Sequence, residues 1–504
     1  MKRLSLLLST LLVFFLFAVN AQVNYQALNQ YLAKARVDFG ATGMAVAVVK
    51  DGDVVFQNGY GLEDAENPSA KVTTYSAFGI ASISKHFTAL GISKLVSEGK
   101  LNWNDKVKKY LPYFQLNDPV VTNLMTVEDL LCHRSGLITF DGDLLWYGTN
   151  YSQEEILKRI KERPLEKEFR SSFGYQNIMF IAAAKVIEKV SGKPYDEYLE
   201  ENYFEPLGMI ETYCSIDDFK PKTKIAYPHI NGTKIPLMNY DNSWGAAGIN
   251  TTTTDMGIWM RFLLNKGSYG DKKVMAPEAV EEIFKPRNFV EPYQFEKDVD
   301  VHFKAYGLGL FTMDYAGKKL MQHGGGLPGY ISQLAIVPEE DLGIIVLTND
   351  GSSLAYVALY KLLDEFLDRK GKKVNWAEKF LEYEKLKKEG EAKYQEKLIA
   401  QVAKKPSHSV ESIQLVGNYQ DKMYGQAVIT QEKRKLILTL KPSAQVFTSV
   451  LEPWNKDLYK IKFSDPFLPE GLVKFDIKNG KVNGFTIDLP NPDFHFYKLD
   501  FQKQ

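Results

Sequence analysis

The chain has 504 residues, 45% hydrophobic, 13% aromatic and 25% charged, the composition of a soluble globular protein with apolar material for a large core and length for about two to four domains. Its 62 Lys and Arg residues balance 62 Asp and Glu, so no net field draws it to nucleic acid or to an anionic membrane. A small neutral or zwitterionic substrate fits better than a polyanion, and two cysteines, Cys132 and Cys214, exclude a disulfide framework.

Lys2 and Arg3 open the chain, residues 4–18 are uncharged and mostly apolar, and Val19-Asn20-Ala21 places small residues where a signal peptidase reads. The pattern predicts a signal peptide over 1–21 and export, periplasmic or secreted, from a bacterium. The apolar run is too short for a spanning helix, and no later stretch is long enough, so no stable membrane span is expected after cleavage. A helix is expected over 25–39, then a hairpin in which 44–49 and 54–57 flank Lys50-Asp51-Gly52-Asp53. Residues 82–98 have helical spacing, with Ile83, Phe87 and Leu90 on an apolar side and Gly99 as the stop.

The middle, about 100–300, reads as helices and long loops. Strands return at 307–313, 319–323, 330–337 and 342–347, followed by a helix over 353–367. The simplest assembly is an α/β (α+β) fold, an antiparallel sheet built from both ends of this region, flanked by helices, with a helical insertion between its halves. Residues 371–408 turn to Lys, Glu and Gln and read as a charged helical linker; the interspersed signs argue against nucleic-acid binding. Beyond it, eight short runs at 414–419, 426–430, 435–440, 445–450, 458–463, 472–477, 482–487 and 494–499, one hairpin marked by Asn479-Gly480, argue for a small β-barrel or sandwich over 409–504. The domains are therefore 22–370, 371–408 and 409–504.

The strongest local chemical signal is Ser82-Ile83-Ser84-Lys85 at a helix start. Positions i and i+3 share a helix face, so the Ser82 hydroxyl and the Lys85 amine can come within hydrogen-bonding reach. A serine needs a base close by to become a nucleophile. Lysine becomes one when desolvation or neighbouring cations lower its pKa from about 10.4. The helix N-terminus adds free N–H groups and a field favourable to an oxyanion.

Ser82-x-x-Lys85, Tyr175-Gln176-Asn177 and His323-Gly324-Gly325 occur in the order and approximate spacing of the class C β-lactamase and DD-peptidase-like serine hydrolases, which this sequence resembles over roughly 25–370. Leu130-Leu131-Cys132-His133-Arg134-Ser135-Gly136-Leu137 and Gly245-Ala246-Ala247-Gly248 resemble two further segments of that family. The resemblance implies a β-lactamase/transpeptidase-like fold, Ser82 as nucleophile, Lys85 and Tyr175 as proton carriers, and Asn177, His323, Gly325 and Gly326 as substrate-binding residues. The N–H groups of Ser82 and Gly326 would form the oxyanion hole, worth about 3 kcal/mol per donor.

Where penicillin-recognising members commonly carry Lys-Thr-Gly, this chain has His323, whose neutral ring holds a carboxylate less well. The expected activity is hydrolysis of amides in D-amino-acid-containing peptides, or of esters; β-lactam turnover, or a penicillin-binding sensor with negligible turnover, are the alternatives. His133 is read as structural, joining Ser135 in a loop, and His86 as pointing away from the nucleophile. With no His-Glu-x-x-His or other metal spacing, neither metal nor cofactor is expected, and the partner is a small molecule or short peptide. The C-terminal domain resembles lipocalin-like modules and is a candidate for cell-wall or glycan contact, with Trp454 and Tyr459 as possible stacking residues and core packing as their commoner use.

Overall fold

The computed structural model describes residues 23–367, 369, 374–402 and 409–504. The expected signal peptide at 1–21 and the end of the linker at 403–408 lie outside the described residues.

Helix α1 (Tyr25–Asp38) leads into the hairpin β1 (Gly43–Lys50) and β2 (Asp53–Gly61), turned at Asp51 and Gly52, both at positive φ. Helix α2, which bears Lys85, spans Ser84–Ser97, and α3 spans Asn177–Ser191. Six further strands follow: β3 (Asn288–Val290), β4 (Lys304–Tyr306), β5 (Phe311–Tyr315), β6 (Lys318–Leu327), β7 (Tyr330–Val337) and β8 (Leu342–Thr348). They join the first two in one antiparallel sheet of order β3-β4-β5-β6-β7-β8-β1-β2. The two ends of the segment 43–348 thus meet inside the sheet, where β1 pairs β8 with Val46 opposite Val346.

Both faces of this pair are covered, which explains why β1 and β8 read as continuous apolar runs rather than alternating ones. Ala45, Ala47 and Val49 enter one core with Phe87, Leu90 and Trp259; Met44, Val46 and Val48 enter the other with helix α4 (Leu354–Phe366). At about 1.5–3 kcal/mol for each large side chain removed from water, these two layers anchor the sheet. Helix α2 departs from the amphipathic reading. Most of its residues, including Ser84, Lys85, His86 and Thr88, are buried, because it runs between the sheet and the insertion helices.

Helix α5 (Trp376–Ala400) is the charged linker. It leads to a closed eight-stranded barrel: β9 (Gly417–Asp421), β10 (Gly425–Glu432), β11 (Lys435–Leu440), β12 (Thr448–Asn455), β13 (Leu458–Ile461), β14 (Gly471–Lys478), β15 (Lys481–Asp488) and β16 (Asp500–Lys503). The closing strand lies after 494–499, where it was expected. There Phe494 and Phe496 are buried in a loop, Phe494 against Tyr147 with ring centroids 4.3 Å apart, so their apolarity serves a tertiary contact rather than a ladder. Tyr459 is buried against Phe475, and Trp454 Nε1 donates to Leu398 O of α5 at 3.0 Å, so both pack rather than face a ligand. Both cysteines are buried and free. Among the described residues no helix is long and apolar enough to cross a membrane.

Candidate active site

Ser82 sits in a single 3-10 turn, Ala81–Ile83, immediately before α2, one step outside the helix that its spacing predicts. Ala81 adopts φ 50, a left-handed conformation that costs a non-glycine residue about 1 kcal/mol or more. Tertiary contacts hold it there. Ile80 N–H donates to Ile249 O at 3.0 Å, and Ile80 O accepts from Ser332 Oγ at 2.8 Å. Gly325 of β6 lies so close that a Cβ on it would stand 2.2 Å from Ile80 O, so only glycine lets the strand lie against the nucleophile turn. Strand β5 pairs with β6 only as far as Gln322, which leaves the edge of Gly324-Gly325-Gly326 open, with Gly326 exposed.

Lys85, buried one helical turn beyond Ser82, donates to Ser82 Oγ at 3.0 Å, Asn177 Oδ1 at 2.6 Å and Ala246 O at 2.9 Å. Three acceptors match the three protons of an ammonium. Burial nevertheless lowers its pKa to about 7, against the opposing pull of Asp143, which brings the neutral amine within reach near neutral pH.

The second motif enters from the start of α3. Tyr175 is half-buried, its ring centroid 4.9 Å from Lys85 Nζ. Burial pushes its phenol far above its ordinary value, opposed by a hydrogen bond with Ser82, so it is a proton donor rather than a resident phenolate. Gln176 N–H donates to His133 Nδ1 at 3.0 Å, and Asn177 Nδ2 donates to Asp143 Oδ2 at 2.6 Å. His133 is thus structural as expected, but its partner is Gln176, not Ser135, whose hydroxyl accepts from Leu137 N–H. His86 accepts from Trp259 Nε1 at 2.6 Å, away from the nucleophile.

His323 is buried, and burial beside Lys85 lowers its pKa to about 3, so its ring is uncharged. One ring nitrogen lies 3.0 Å from Tyr306 Oη and the other 2.6 Å from Gly324 O. Both are engaged inside the protein, and the residue shapes the glycine-rich edge. Ser82, Tyr175, Asn177, His323, Gly325 and Gly326 all line one cleft of about 1250 Å³. The expected set is brought together, with Lys85 directly beneath it.

Sequence reasoning missed Asp143, the Ala246 carbonyl, Ser332 and Tyr306. Ala246 lies in the small-residue segment already noted, but Asp143 stands 34 positions from its partner Asn177 with no local pattern to signal it. It also missed the opposite wall of the cleft, formed by α5 and by barrel loops that include Phe467, Asp493 and Phe494. Among the described residues no group of His, Cys, Asp or Glu is arranged to hold a metal.

A helix-flanked antiparallel sheet carrying a serine beside a buried lysine defines the class, a serine hydrolase of the β-lactamase and penicillin-binding type. The chain belongs to the beta-lactamase family, whose profile matches residues 28–365, and a domain of unknown function (DUF3471) matches residues 400–503. An unguisins hydrolase of Aspergillus campestris is 28% identical over 84% of this chain and 81% of its own length. A putative D-alanyl-D-alanine carboxypeptidase of Escherichia coli K12 is 30% identical over 52% of this chain and 69% of its own. The octameric penicillin-binding protein homologue from Pyrococcus abyssi superposes with a TM-score of 0.59 over 95% of this chain and 100% of its own, at 22% identity, a likeness of fold.

Proposed function

We propose that the protein is an exported hydrolase that cleaves amide or ester bonds of short, D-amino-acid-containing peptides through an acyl-enzyme on Ser82. The observation that carries this reading is the fully buried Lys85, its nitrogen 3.0 Å from Ser82 Oγ and its pKa lowered to about 7. Neutral Lys85 takes the Ser82 proton as the oxygen attacks the carbonyl, and the N–H groups of Ser82 and Gly326 receive the oxyanion. The Tyr175 phenol passes a proton to the leaving group and takes its replacement from the Lys85 ammonium, and water then releases the acyl group by the reverse path.

Three features support a short peptide. The cleft of about 1250 Å³ exceeds what a simple ester fills. Its far wall carries both signs of charge, Asp493 and Lys387, which suits a zwitterion. One relative carries the name unguisins hydrolase and another that of a putative D-alanyl-D-alanine carboxypeptidase.

β-Lactam turnover is less well served. His323 offers a substrate carboxylate no charge, and the buried cation on the same wall, Lys304, is held by both Glu296 oxygens at 2.7 and 2.9 Å. The test is a fluorophosphonate probe with wild type and Ser82→Ala, then D-alanyl peptides, p-nitrophenyl esters and a chromogenic cephalosporin. Ser82-dependent labelling with turnover of the peptides is the expected result. Labelling that survives the substitution removes Ser82 as nucleophile, and a label never released identifies a sensor instead of a hydrolase.

A further inference from the structure

The segment 138–151 faces two ways. On its inner side it meets the Tyr175-Gln176-Asn177 motif residue by residue. Phe140 N–H donates to Tyr175 O at 2.8 Å, Tyr175 N–H donates to Thr139 Oγ1 at 3.2 Å, and the Gln176 side-chain amide donates to Ile138 O. Asn177 Nδ2 donates to Asp143 Oδ2 at 2.6 Å.

This last bond decides which way the Asn177 amide points. The amide has one donor end and one acceptor end, and Lys85 needs the acceptor. An Asp143 carboxyl oxygen that accepts on the far side fixes the NH₂ group toward Asp143 and Oδ1 toward Lys85. Asp143 itself is buried, with the Trp146 side chain beside it as a second hydrogen-bonding neighbour.

On its outer side the same segment is fastened to the barrel. Asp141 is buried and receives Arg163 Nε at 3.1 Å and the barrel's Lys498 Nζ at 3.2 Å, with His495 Nδ1 at 3.4 Å. Tyr147 Oη donates to Asp465 Oδ2 at 2.7 Å, Ser443 Oγ donates to Tyr147 O at 3.2 Å, and Asn150 N–H donates to Pro442 O at 3.0 Å.

Resting on the reading of Ser82 and Lys85 given above, we infer that Asp143 is a positioning residue for the Asn177 amide, and that the C-terminal barrel holds the segment bearing it, so that the domain of unknown function is a structural part of the catalytic centre. The barrel makes no bond to the reacting atoms. It acts by clamping a strap whose inner edge sets Tyr175 and Asn177. Because the strap has no regular structure between 138 and 142 to stiffen it, its geometry depends on what grips both sides.

The test uses the full-length protein, with the active fraction titrated by the fluorophosphonate probe and Ser82→Ala as the control for the nucleophile itself. Asp143→Leu removes the acceptor but keeps the volume, and is expected to lower kcat about tenfold or more with KM little changed. Asp143→Asn retains an acceptor oxygen and is expected to recover most of that loss. The double variant Lys498→Met and Tyr147→Phe, which cuts the barrel-side bonds to Asp141 and Asp465, is expected to slow acylation about threefold to tenfold and to speed amide hydrogen exchange in peptides covering 138–143 and 175–177.

Exchange does not require activity, so it reports on the strap even if Ser82 is not the nucleophile. Wild-type exchange and acylation in the barrel-side variant would overturn the role of the barrel. Wild-type kcat in Asp143→Leu, or equal losses in the Leu and Asn variants, would overturn the role of Asp143.

Discussion

The two walls of the cleft are built by different physics. The catalytic wall is a buried polar network in which Lys85, Asn177 and Asp143 lie in line through bonds of 2.6 Å on each side of the amide, and the burial that makes these bonds strong also moves the lysine toward neutrality. The barrel wall is made of loops, with Pro466, Pro469, Pro490 and Pro492 restricting the backbone around Phe467 and Phe494. Those loops are braced by their own side chains, since Asp465 Oδ1 accepts from Phe467 N–H and Asn491 Oδ1 from Asp493 and Phe494 N–H, at 2.9 to 3.0 Å. On the proposed reading the first wall supplies the chemistry, since its buried lysine has the shifted proton affinity that catalysis uses, and the second the selection.

Substitutions can break this division. Lys85→Met removes the base while keeping the stem, and acyl transfer should fall about a thousandfold in a single-turnover assay. If the variant acylates at the wild-type rate, the network is structural and Ser82 is activated from elsewhere. Gly325→Ala attacks the meeting of β6 with the nucleophile turn. Its methyl would stand 2.2 Å from Ile80 O and 2.3 Å from Ser332 Oγ, so thermal denaturation should show a loss of about 2 kcal/mol together with loss of labelling.

The pH profile sharpens the comparison further. Lys85 must be neutral to accept a proton, and its pKa is lowered to about 7, so kcat/KM should rise through pH 7 and fall about tenfold per pH unit on the acid side. The groups facing Lys85 are Asp143, whose carboxyl burial raises to about 8, the Tyr175 phenol, and the His133 and His323 rings, which burial keeps neutral. A profile flat between pH 5 and 8 would place the base elsewhere. The smallest effect belongs to the far wall, where Phe467→Ala should change KM among peptide substrates by about threefold to tenfold and leave kcat nearly constant. An equal fall in kcat on every substrate would show the barrel loops reaching into the chemistry.

Much of the site was legible because its signals are short. Ser82 and Lys85 are related by one helical turn, Tyr175 and Asn177 by two positions, and the glycines after His323 by the need for a bare backbone. The sheet was legible for a similar reason. The runs at 330–337 and 342–347 are strands by local pattern, whereas Asn288–Val290 and Lys304–Tyr306, three residues each, carry no pattern long enough to read. The last barrel strand was misplaced because Phe494 and Phe496 look like strand residues and are buried in a loop contact instead.

What the sequence alone determined is the family and the three motifs that carry it, since each motif is written within a few residues and a local conformation suffices to join its own pieces. What only the tertiary structure decided is the environment that makes those groups work. The desolvation of Lys85, the strained turn at Ala81, the Asp143 carboxyl that accepts from Asn177, and the barrel loops that line the cleft all depend on contacts between residues far apart in the chain. Such contacts follow from packing a whole core at once, which no short stretch of sequence encodes.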